Sequence, residues 1–493
     1  MDQERNILNN KCIKTANILF FGAGKLGKYW LDRSINYSGV VPERILDNNR
    51  ELWGSIYNNV LIESPDYLKS FHYEYIFITC KNKHEIYQQL LELGVEEDKI
   101  ISEDPDIWKY LRYYSAKVLV PVTEKLEETQ NVISNKKIIF DLQNGLTLGG
   151  VEVWSYDLAK KLNALGYPGI YLTTDFANPI VKDDTYPVQM LQYDGVDEEK
   201  DRIRICVQKI VEYLPCTIMC NFPHYTFWSA CMVKQLYPNQ IRIIAVQHSD
   251  DPVYYETYGL WQEFVDQYLV ISSRMEKKLI LCGVRPEQIG RLEWQICCNE
   301  NLDKAWNDAD RCLQIGYAGR VTTISKRADL LVILAEKLLD RNVDFQLNIA
   351  GTGDYSETLQ QMIQDKNLQK YIILKGYIDR KEIPAFWNKQ DIMVACSELE
   401  GHSISQSEAM AEGAVPVITD VSGARDDVTD GYNGYIVDVG DIDTMADRIY
   451  DLYHNRKELK QMGQRAHNTI YERQKNADQA RFWDDLIKKV WQE

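Results

Sequence analysis

The sequence contains no run of the about 18 continuous apolar residues that a membrane-spanning helix needs. Its first residues, Met-Asp-Gln-Glu-Arg, lack the basic start and the apolar stretch of a secretory signal peptide. Positive charge is scarce, because 73 acidic residues outnumber 56 basic ones and give a formal net charge of −17. This balance disfavours nucleic acid as a partner and a broad attraction to anionic lipid. We therefore expect a cytoplasmic protein that associates at most peripherally with the inner face of the membrane.

Cysteine patterns typical of metal sites are also absent. The chain has 11 cysteines, and several of them, such as Cys206, lie inside apolar runs, as reduced core cysteines do. Cys216 and Cys220 are close in sequence, as are Cys297 and Cys298, but neither pair has a Cys-x2-Cys partner set or a nearby pair of histidines. We expect no metal site.

One stretch, residues 395–420, organises the interpretation of the chain. The apolar run Ile392–Cys396 predicts a buried parallel strand, and Val415–Thr419 predicts the next one. Between them lie a loop that contains Glu400 and a helix, where Ser405 and Glu408 have the spacing of a capping box. The pattern therefore predicts strand, loop, helix and strand.

The residues of this stretch suit a sugar nucleotide. Glu400 and Glu408 are eight positions apart, and each carboxylate can accept hydrogen bonds from two neighbouring hydroxyls of a ribose or a hexose. The backbone N–H groups of Gly401, His402 and Ser403 precede the helix, and a helix N-terminus with free N–H groups favours a phosphate. The sequence predicts a binding site here.

The stretch resembles the Glu-x7-Glu signature of retaining GT-B glycosyltransferases, in particular glycosyltransferase family 4. The match comprises Glu400-Gly401 and the string from Glu408 to Val417, EAMAEGAVPV. The chain departs from the family pattern at His402, where phenylalanine is usual, and at Ser403, where glycine is usual.

Two further elements resemble the same family. Gly319-Arg320 follows a predicted strand, and Lys326 comes six positions after Arg320, at the predicted start of a helix, with Arg327 where the family has glycine. Two cations at this place can hold the negative charge that grows on a leaving diphosphate. His248 follows the predicted strand Ile241–Val246, and family members similarly place a histidine there, facing the donor sugar.

The resemblance implies a set of site residues. Catalytic roles fall to Glu400, His248, Arg320 and Lys326. Contacts with the donor fall to Gly149, Gly150, Gly319, Tyr377, Ile378, Gly401, His402, Ser403, Ile404 and Glu408. Among these, Glu408 is expected on the ribose, and Tyr377 and Ile378 follow a strand whose next loop lies against the base in relatives.

The N-terminal part has a dinucleotide-binding pattern of its own. The apolar strand Asn17–Phe21 leads into Gly22-x-Gly24-x-x-Gly27, and Asp47 ends a second strand, twenty residues after Gly27. This part resembles small Rossmann domains attached to bacterial sugar-modifying enzymes. The sequence leaves open whether Gly22, Gly24, Gly27 and Asp47 bind a nucleotide or belong to a scaffold.

The length of 493 residues agrees with about three domains. We expect an α/β protein in which two Rossmann-like domains form a GT-B fold, facing a cleft, after a third, N-terminal Rossmann-like domain. The expected boundaries are 1–118 for the N-terminal domain, 119–135 for a linker, 136–305 for the acceptor-side domain, 306–470 for the donor domain and 471–493 for a crossover helix.

The function implied by the resemblance is metal-independent, retaining transfer of a hexosyl or N-acetylhexosaminyl group (EC 2.4) from a UDP- or GDP-sugar. The expected acceptor is a glycan, a lipid-linked acceptor or a protein, in bacterial-type polysaccharide or glycoconjugate synthesis. An alternative is a non-catalytic nucleotide-sugar sensor or an assembly subunit. An oxidoreductase or epimerase activity of the N-terminal domain is disfavoured, because Tyr113 and Lys117 alone have the spacing of short-chain dehydrogenases. A homo-oligomer or a glycan-synthesis complex stays open.

Overall fold

A computed structural model provides the structure of this chain. It describes residues 16–35, 40–103, 107, 111, 116, 137–142, 150–174, 185–193, 195–196, 199–292, 294–304, 306, 312–475 and 477–492. The predicted linker, the pair Tyr113 and Lys117, and Gly149 lie outside these ranges. The chain divides into two compact units, the first comprising residues 1–244 and 263–266 and the second 245–262 and 267–493. No helix in the described ranges is long and apolar enough to cross a membrane.

The N-terminal sheet has six strands in the order β3-β4-β2-β1-β5-β6. All its pairings are parallel except the hairpin of β3 and β4. Buried side chains of β1, β5 and α2 form its core. Its elements are β1 Ala16–Phe21, α1 Lys25–Arg33, β2 Pro42–Leu46, β3 Ile56–Tyr57, β4 Val60–Glu63, β5 Tyr75–Ile78, α2 Lys83–Glu92 and β6 Ile100–Ile101, with short 3-10 helices at Arg50–Leu52, Pro65–Lys69 and Glu97–Lys99.

The second sheet has seven strands in the order β13-β12-β11-β10-β7-β8-β9. The strands β7, β8, β10, β11 and β12 are almost fully buried, as expected for strands covered by helices on both faces, whereas the edge strands β9 and β13 are partly exposed. Its elements are β7 Lys137–Leu142, α3 Gly150–Ala164, β8 Gly169–Thr174, β9 Val188–Leu191, α4 Glu199–Glu212, β10 Cys216–Cys220, α5 Tyr225–Leu236, β11 Ile241–Gln247, α6 Pro252–Trp261, β12 Gln267–Val270, α7 Ser273–Leu281 and β13 Ile289–Arg291, with 3-10 turns at Gln262–Phe264 and Pro286–Gln288.

The third sheet has six parallel strands in the order β16-β15-β14-β17-β18-β19. Its elements are β14 Leu313–Ala318, α8 Leu330–Asp340, β15 Phe345–Ala350, α9 Ser356–Asp365, β16 Ile372–Gly376, α10 Ile383–Asn388, β17 Ile392–Ala395, α11 Ile404–Ala411, β18 Val415–Thr419, α12 Ala424–Asp427, β19 Tyr435–Val437, α13 Ile442–His454 and α14 Arg456–Gln474. The last helix is α15, Gln479–Gln492.

Alternation along the central strands separates two apolar layers on the third sheet. Val415 and Val417 face the layer that includes α8, α9 and α13, whereas Ile418 faces the layer that includes α11 and α14. Both faces are therefore covered by helices, which leaves the carboxyl ends of the strands as the place where loops can form a binding site.

Candidate functional site

The strand order of the third sheet locates a crevice. Chain order runs outward from β14 through β15 to β16, then returns to β17 on the other side of β14. In open parallel sheets the loops after two such central strands diverge, and ligands bind between them. The loop after β14 carries Gly319, Arg320 and Lys326, and the loop after β17 carries Glu400. Sequence-distant candidates are thus brought to one edge.

Lys326 lies in a tight turn rather than in a helix. The predicted helix begins at Leu330, so the expectation that Lys326 opens it is wrong. Ser325 and Arg327 on either side have φ values of 69° and 50°, in the left-handed region. Such residues cannot continue a right-handed helix, which is why α8 starts later.

An ion pair joins the two loops. Lys326 Nζ contacts Glu400 Oε1, and the same carboxylate oxygen accepts a hydrogen bond from Ser397 Oγ at 2.8 Å. The backbone N–H of Glu398 donates to the carbonyl oxygen of Ser325 at 2.8 Å. Both partners of the ion pair are largely buried, with side chains 19% and 12% exposed. Because Oε1 takes both contacts, Oε2 of Glu400 has no hydrogen-bond partner among the described residues.

Gly401 explains how His248 comes to this edge. A Cβ atom at Gly401 would overlap the carbonyl oxygen of His248 and would lie 2.6 Å from Cδ1 of Ile271. Only glycine therefore lets the Glu400 loop approach the end of β11 so closely. Burial lowers the pKa of His248 to about 3, so its imidazole is neutral near pH 7.

Glu408 lies on α11 in a different electrostatic setting. Its side chain is half-buried and has no hydrogen bond or ion pair with the residues that the structure describes. Burial raises the pKa of Glu408 to about 7, and the charge of Arg380 opposes this rise. A carboxylate left without partners in a crevice is costly to the fold and is typical of a ligand-binding position.

The N-terminus of α11 differs from the capping box that we predicted. The helix begins at Ile404 with Ser403 as its cap residue, and no side chain caps it. Ser405 Oγ instead donates to the carbonyl oxygen of Ala318 at 2.8 Å, which joins α11 to the end of β14. The capping-box prediction is wrong because this hydroxyl finds a partner on the neighbouring strand.

The side chain of His402 is buried in a polar cluster. Its Nε2 lies 3.0 Å from Ser407 Oγ and 3.2 Å from Asp427 Oδ2, and Asp427 also pairs with Arg473. Burial alone would raise the pKa of Asp427, but hydrogen bonds and charges from His402, Arg473 and Ser407 outweigh it, so the pKa is lowered. The imidazole is thus a structural group here, and a ligand could meet only the backbone of this residue.

The remaining donor-side candidates are spread along the same edge. Arg320 is exposed, its carbonyl oxygen accepts from Tyr317 Oη at 2.7 Å, and its guanidinium forms no ion pair within the described part of the chain. Tyr377 is 60% exposed. Ile378 and Ile404 pack against the same apolar layer of α11 and α14. An exposed cation follows β14 and an exposed aromatic ring follows β16, both at the carboxyl edge of the third sheet.

The glycine pair of the second sheet is only partly described. Gly150 is the first residue of α3, and a Cβ there would meet no atom within 4 Å. The role predicted for Gly149 and Gly150 stays a prediction.

In the N-terminal domain, packing accounts for two of the three glycines. Gly22 has a φ of 120°, and a Cβ on Gly27 would overlap the carbonyl oxygen of Gly22. Gly24 has open space around it. Both oxygens of Asp47 accept backbone N–H groups, from Ala23 at 2.7 Å and from Asn49 at 2.8 Å. Asp47 thus stabilises the loop itself, and its binding of a ribose stays a prediction.

Several residues of the site were missed from the sequence. Ser397 holds Glu400, while Asp427 and Arg473 hold His402. Asp426 accepts from the backbone N–H of Ser273 at 2.9 Å and pairs with Arg291, and these contacts were not predicted. These partners are far apart in sequence, and no local spacing indicates them. Among the described residues, no group of three or more potential ligands is placed to hold a metal ion.

Comparison with known proteins agrees with this geometry. Residues 299–469 match the family model described as glycosyl transferases group 1, and residues 14–101 match the one described as C2185-like, N-terminal. These matches confirm the predicted similarity to GT-B glycosyltransferases and the presence of an additional N-terminal domain.

The relatives found by sequence are glycosyltransferases. The poly(ribitol-phosphate) alpha-N-acetylglucosaminyltransferase of Staphylococcus aureus is 30% identical over 35% of this chain and 35% of its own length. The poly(glycerol-phosphate) alpha-glucosyltransferase of Bacillus subtilis is 31% identical over 24% of this chain and 18% of its own. A GDP-mannose-dependent mannosyltransferase of Mycolicibacterium smegmatis is 33% identical over 28% and 38%. The chain thus spans well under half the length of these relatives.

Solved structures share the fold. The crystal structure of TarM from S. aureus covers 73% of this chain with a TM-score of 0.57 and 14% identity, and 99% of that structure is matched. HepE of Anabaena, in complex with UDP and glucose, gives a TM-score of 0.55 over 69% of this chain and 95% of its own, at 18% identity. With the three sheets, these neighbours confirm the predicted fold class: a GT-B fold with a further N-terminal Rossmann-like domain.

Proposed function

We propose that this protein transfers a sugar from a nucleotide-sugar donor to an acceptor in polysaccharide or glycoconjugate synthesis. The observation that carries the proposal is the crevice between β14 and β17, where Lys326 pairs with Glu400, together with Glu408 on α11, which has no hydrogen bond or ion pair with the described residues. This crevice lies within the segment that matches group 1 glycosyl transferases. The site residues implied by the resemblance and the domain boundaries predicted from the sequence are parts of this proposal.

Lys326 and Arg320 hold the departing diphosphate in this proposal. The ammonium of Lys326 has three N–H donors, so it can keep its contact with Glu400 and still donate to a phosphate oxygen. Arg320 brings a guanidinium that is not neutralised by the described residues. Positive charge placed in advance stabilises the charge that develops on the leaving group, which is work that a metal ion does in other transferases. We therefore propose metal-independent transfer.

In this proposal the two glutamates bind the donor sugar and the ribose. Oε2 of Glu400 is open for a hydroxyl of the donor sugar, and the negative charge of this residue stabilises positive charge at the anomeric carbon. Glu408 accepts the two ribose hydroxyls. His248, neutral and beside Gly401, orients the sugar. We propose retention of configuration by front-face attack, so no residue acts as a nucleophile.

The donor and the acceptor are proposed only as classes. The names of relatives include a GDP-mannose-dependent enzyme and a UDP-N-acetylglucosamine–peptide transferase subunit, which supports a hexosyl or N-acetylhexosaminyl group on UDP or GDP. Their acceptors range from ribitol-phosphate polymer to phosphatidylinositol mannoside and peptide. We propose a glycan, a lipid-linked acceptor or a protein as acceptor, at a cytoplasmic location.

Turnover of nucleotide sugars tests the proposal directly. Purified protein is screened against UDP- and GDP-sugars for release of the nucleoside diphosphate and for thermal stabilisation, with and without EDTA. We expect one donor to be hydrolysed slowly in EDTA, and Glu400→Gln to slow this hydrolysis by about a hundredfold. A rate that vanishes in EDTA and returns with magnesium or manganese would contradict metal independence. Binding without turnover of any donor would favour the sensor function instead.

A further inference from the structure

Arg327 occupies a backbone conformation that favours glycine. Its φ of 50° lies in the left-handed region, where a residue with a Cβ atom is less stable than glycine. Glycine is also what the resembled family has at this position. An arginine that keeps the left-handed turn despite this cost is expected to contribute through its side chain.

The guanidinium of Arg327 spans two loops. Nε and Nη2 form a fork on Asp329, at 3.1 Å from Oδ1 and 3.0 Å from Oδ2, while Nη1 contacts Glu398 Oε1. Asp329 belongs to the same turn as Arg327, so that fork only fixes the guanidinium. Glu398 belongs to the loop after β17, so the second contact crosses between the loops.

The crossing contact runs beside the pair of the candidate site. Arg327 directly follows Lys326, and Glu398 lies two residues before Glu400. Residues 325–327 and 398–400 are therefore joined by two side-chain pairs, Lys326 with Glu400 and Arg327 with Glu398. They are also joined by the backbone N–H groups of Glu398 and Leu399, which both donate to the carbonyl oxygen of Ser325.

We propose that Arg327 is a positioning residue that holds the Lys326 turn and the Glu400 loop at a fixed separation, an inference that rests on the proposed function. When a diphosphate enters, it attracts the ammonium of Lys326 and weakens the contact with Glu400. The bridge from Arg327 to Glu398 does not face this competition, because its arginine is already held by two carboxylates. It keeps Glu400 near the sugar while Lys326 engages the leaving group.

The bridge is partly exposed, with side chains 29% and 47% exposed. An exposed ion pair stabilises a fold little. A positioning role therefore separates from a structural one: removal of the bridge should lower kcat and leave the melting temperature nearly unchanged. Removal of a purely structural pair would lower the melting temperature and leave kcat unchanged, or would change neither.

Kinetics of Arg327→Gly and Glu398→Gln test the bridge. Glycine suits the left-handed position, so Arg327→Gly is expected to fold. Each variant should lower kcat for the donor about ten- to a hundredfold, the scale of a small misplacement of reacting groups. The melting temperature should shift by less than about 4 °C.

The double variant should be no slower than either single one, because both remove the same contact. The control Lys337→Gln, which breaks only the remote surface pair of Lys337 and Asp443, should change kcat less than about twofold.

Hydrogen exchange gives a readout that does not need turnover. In the free protein, the backbone amide of residue 398 should exchange faster in Arg327→Gly and Glu398→Gln than in wild type. The control is Lys337→Gln, which breaks the remote surface pair of Lys337 and Asp443 and should leave this exchange rate unchanged. Unchanged exchange in both variants would overturn the bridge, whether or not the protein is a transferase. Faster exchange in the variants with an unchanged kcat would overturn the positioning role of Arg327. If wild type turns over no donor and the variants still exchange faster, only the proposed function is refuted.

Discussion

Glu400 and Glu408 differ in how far the protein already compensates their charge. Glu400 has a cation and a hydroxyl on one oxygen, whereas Glu408 has no partner among the described residues and an elevated pKa. The first carboxylate is therefore fixed by the protein itself, whereas the second is available to a ligand in the proposed site. We expect the binding role proposed for Glu408 to depend on pH.

The pKa of Glu408 makes donor binding depend on pH. With a pKa of about 7 in the free protein, against about 4.3 for a free glutamate, the carboxyl is largely protonated below pH 7. Two ribose hydroxyls donate best to the ionised form, so affinity for UDP-glucose or the true donor should rise between about pH 6 and pH 8. Calorimetric titration of wild type and Glu408→Gln at each pH measures this, and the variant also controls for titration of the ligand. Equal pH dependence in both proteins would contradict the assignment.

The raised pKa of Glu408 also makes the stability of the fold depend on pH. Because the folded protein holds the proton of Glu408 more tightly than the unfolded chain, this residue favours folding most below about pH 4.3, and that contribution declines as the pH rises towards 7. The fold therefore retains Glu408 at a cost near neutral pH, which agrees with a residue kept for binding.

Residue types indicated the candidate site, but the backbone geometry around Lys326 could not be predicted from the sequence. The resemblance carried by the motifs around Glu400, Glu408, Arg320 and Lys326 was the reason to expect all four at one crevice. The left-handed turn around Lys326 could not be read from Ser325 and Arg327, because neither residue type favours positive φ.

At the scale of elements, Gly401 sets how closely the Glu400 loop approaches the end of β11. Gly401→Ala would place a Cβ atom onto the carbonyl oxygen of His248. We expect the free energy of unfolding to fall by about 1–3 kcal/mol, as in overpacked sites, together with a loss of donor turnover. Urea unfolding measures the first effect. In the control Gly259→Ala, on α6, the nearest atom to the new Cβ is 3.8 Å away, and the stability should be unchanged or slightly higher.

Asp427 stabilises the loop from the other side. Its lowered pKa means that the folded protein prefers the ionised form, so its contribution to stability is fully present above the unfolded pKa of about 3.9 and is lost as the pH falls through the lower pKa of the folded protein. Asp427→Asn should lower the free energy of unfolding by about 3 kcal/mol at pH 7, as for a broken buried pair, and the deficit should shrink in acid. An exposed control, Asp443→Asn, should change it little. A deficit that is independent of pH would contradict this electrostatic role.

Most elements could be predicted from hydrophobic runs, but two local signals were misjudged. The hairpin of β3 and β4 was missed, although Asn58 and Asn59, with φ values of 47° and 63°, are residue types that such two-residue turns favour. The capping box at Ser405 was wrong because a nearby carbonyl group from another strand offered a better partner. A pattern of sequence neighbours does not contain such contacts.

At the scale of the whole molecule, substitutions in the glycine motif of the N-terminal domain can distinguish a packing role from a binding role. Gly27→Val should unfold this domain, since its side chain would overlap the backbone of Gly22, whereas Gly24→Val meets open space and should leave the melting temperature unchanged. Circular dichroism and calorimetry on the full chain measure both. If the domain binds a nucleotide, Gly24→Val should remove one equivalent of binding. A stoichiometry that is the same in wild type and variant would make the domain a scaffold.

The order of strands was beyond the sequence. Alternating strands and helices predict parallel sheets, but only the structure shows that β14 and β17 are neighbours at the centre of the third sheet. That adjacency brings Lys326 to Glu400 across 74 positions of sequence. The resemblance to a known family supplied the roles, and topology supplies the physical reason why residues so far apart can share them.

The most direct test of the proposed active site separates its two carboxylates by steady-state kinetics with the donor. In the proposed site Glu408 contacts a ribose that does not change during transfer, so Glu408→Gln should raise the KM for the donor and spare kcat. Glu400 is proposed to act where positive charge develops, so Glu400→Gln should lower kcat by about a hundredfold, the effect of one lost electrostatic stabiliser. The amides keep the side-chain volumes, so both variants should fold. The reverse pattern would exchange the two roles, and unchanged turnover in both variants would contradict the placement of the active site in this crevice.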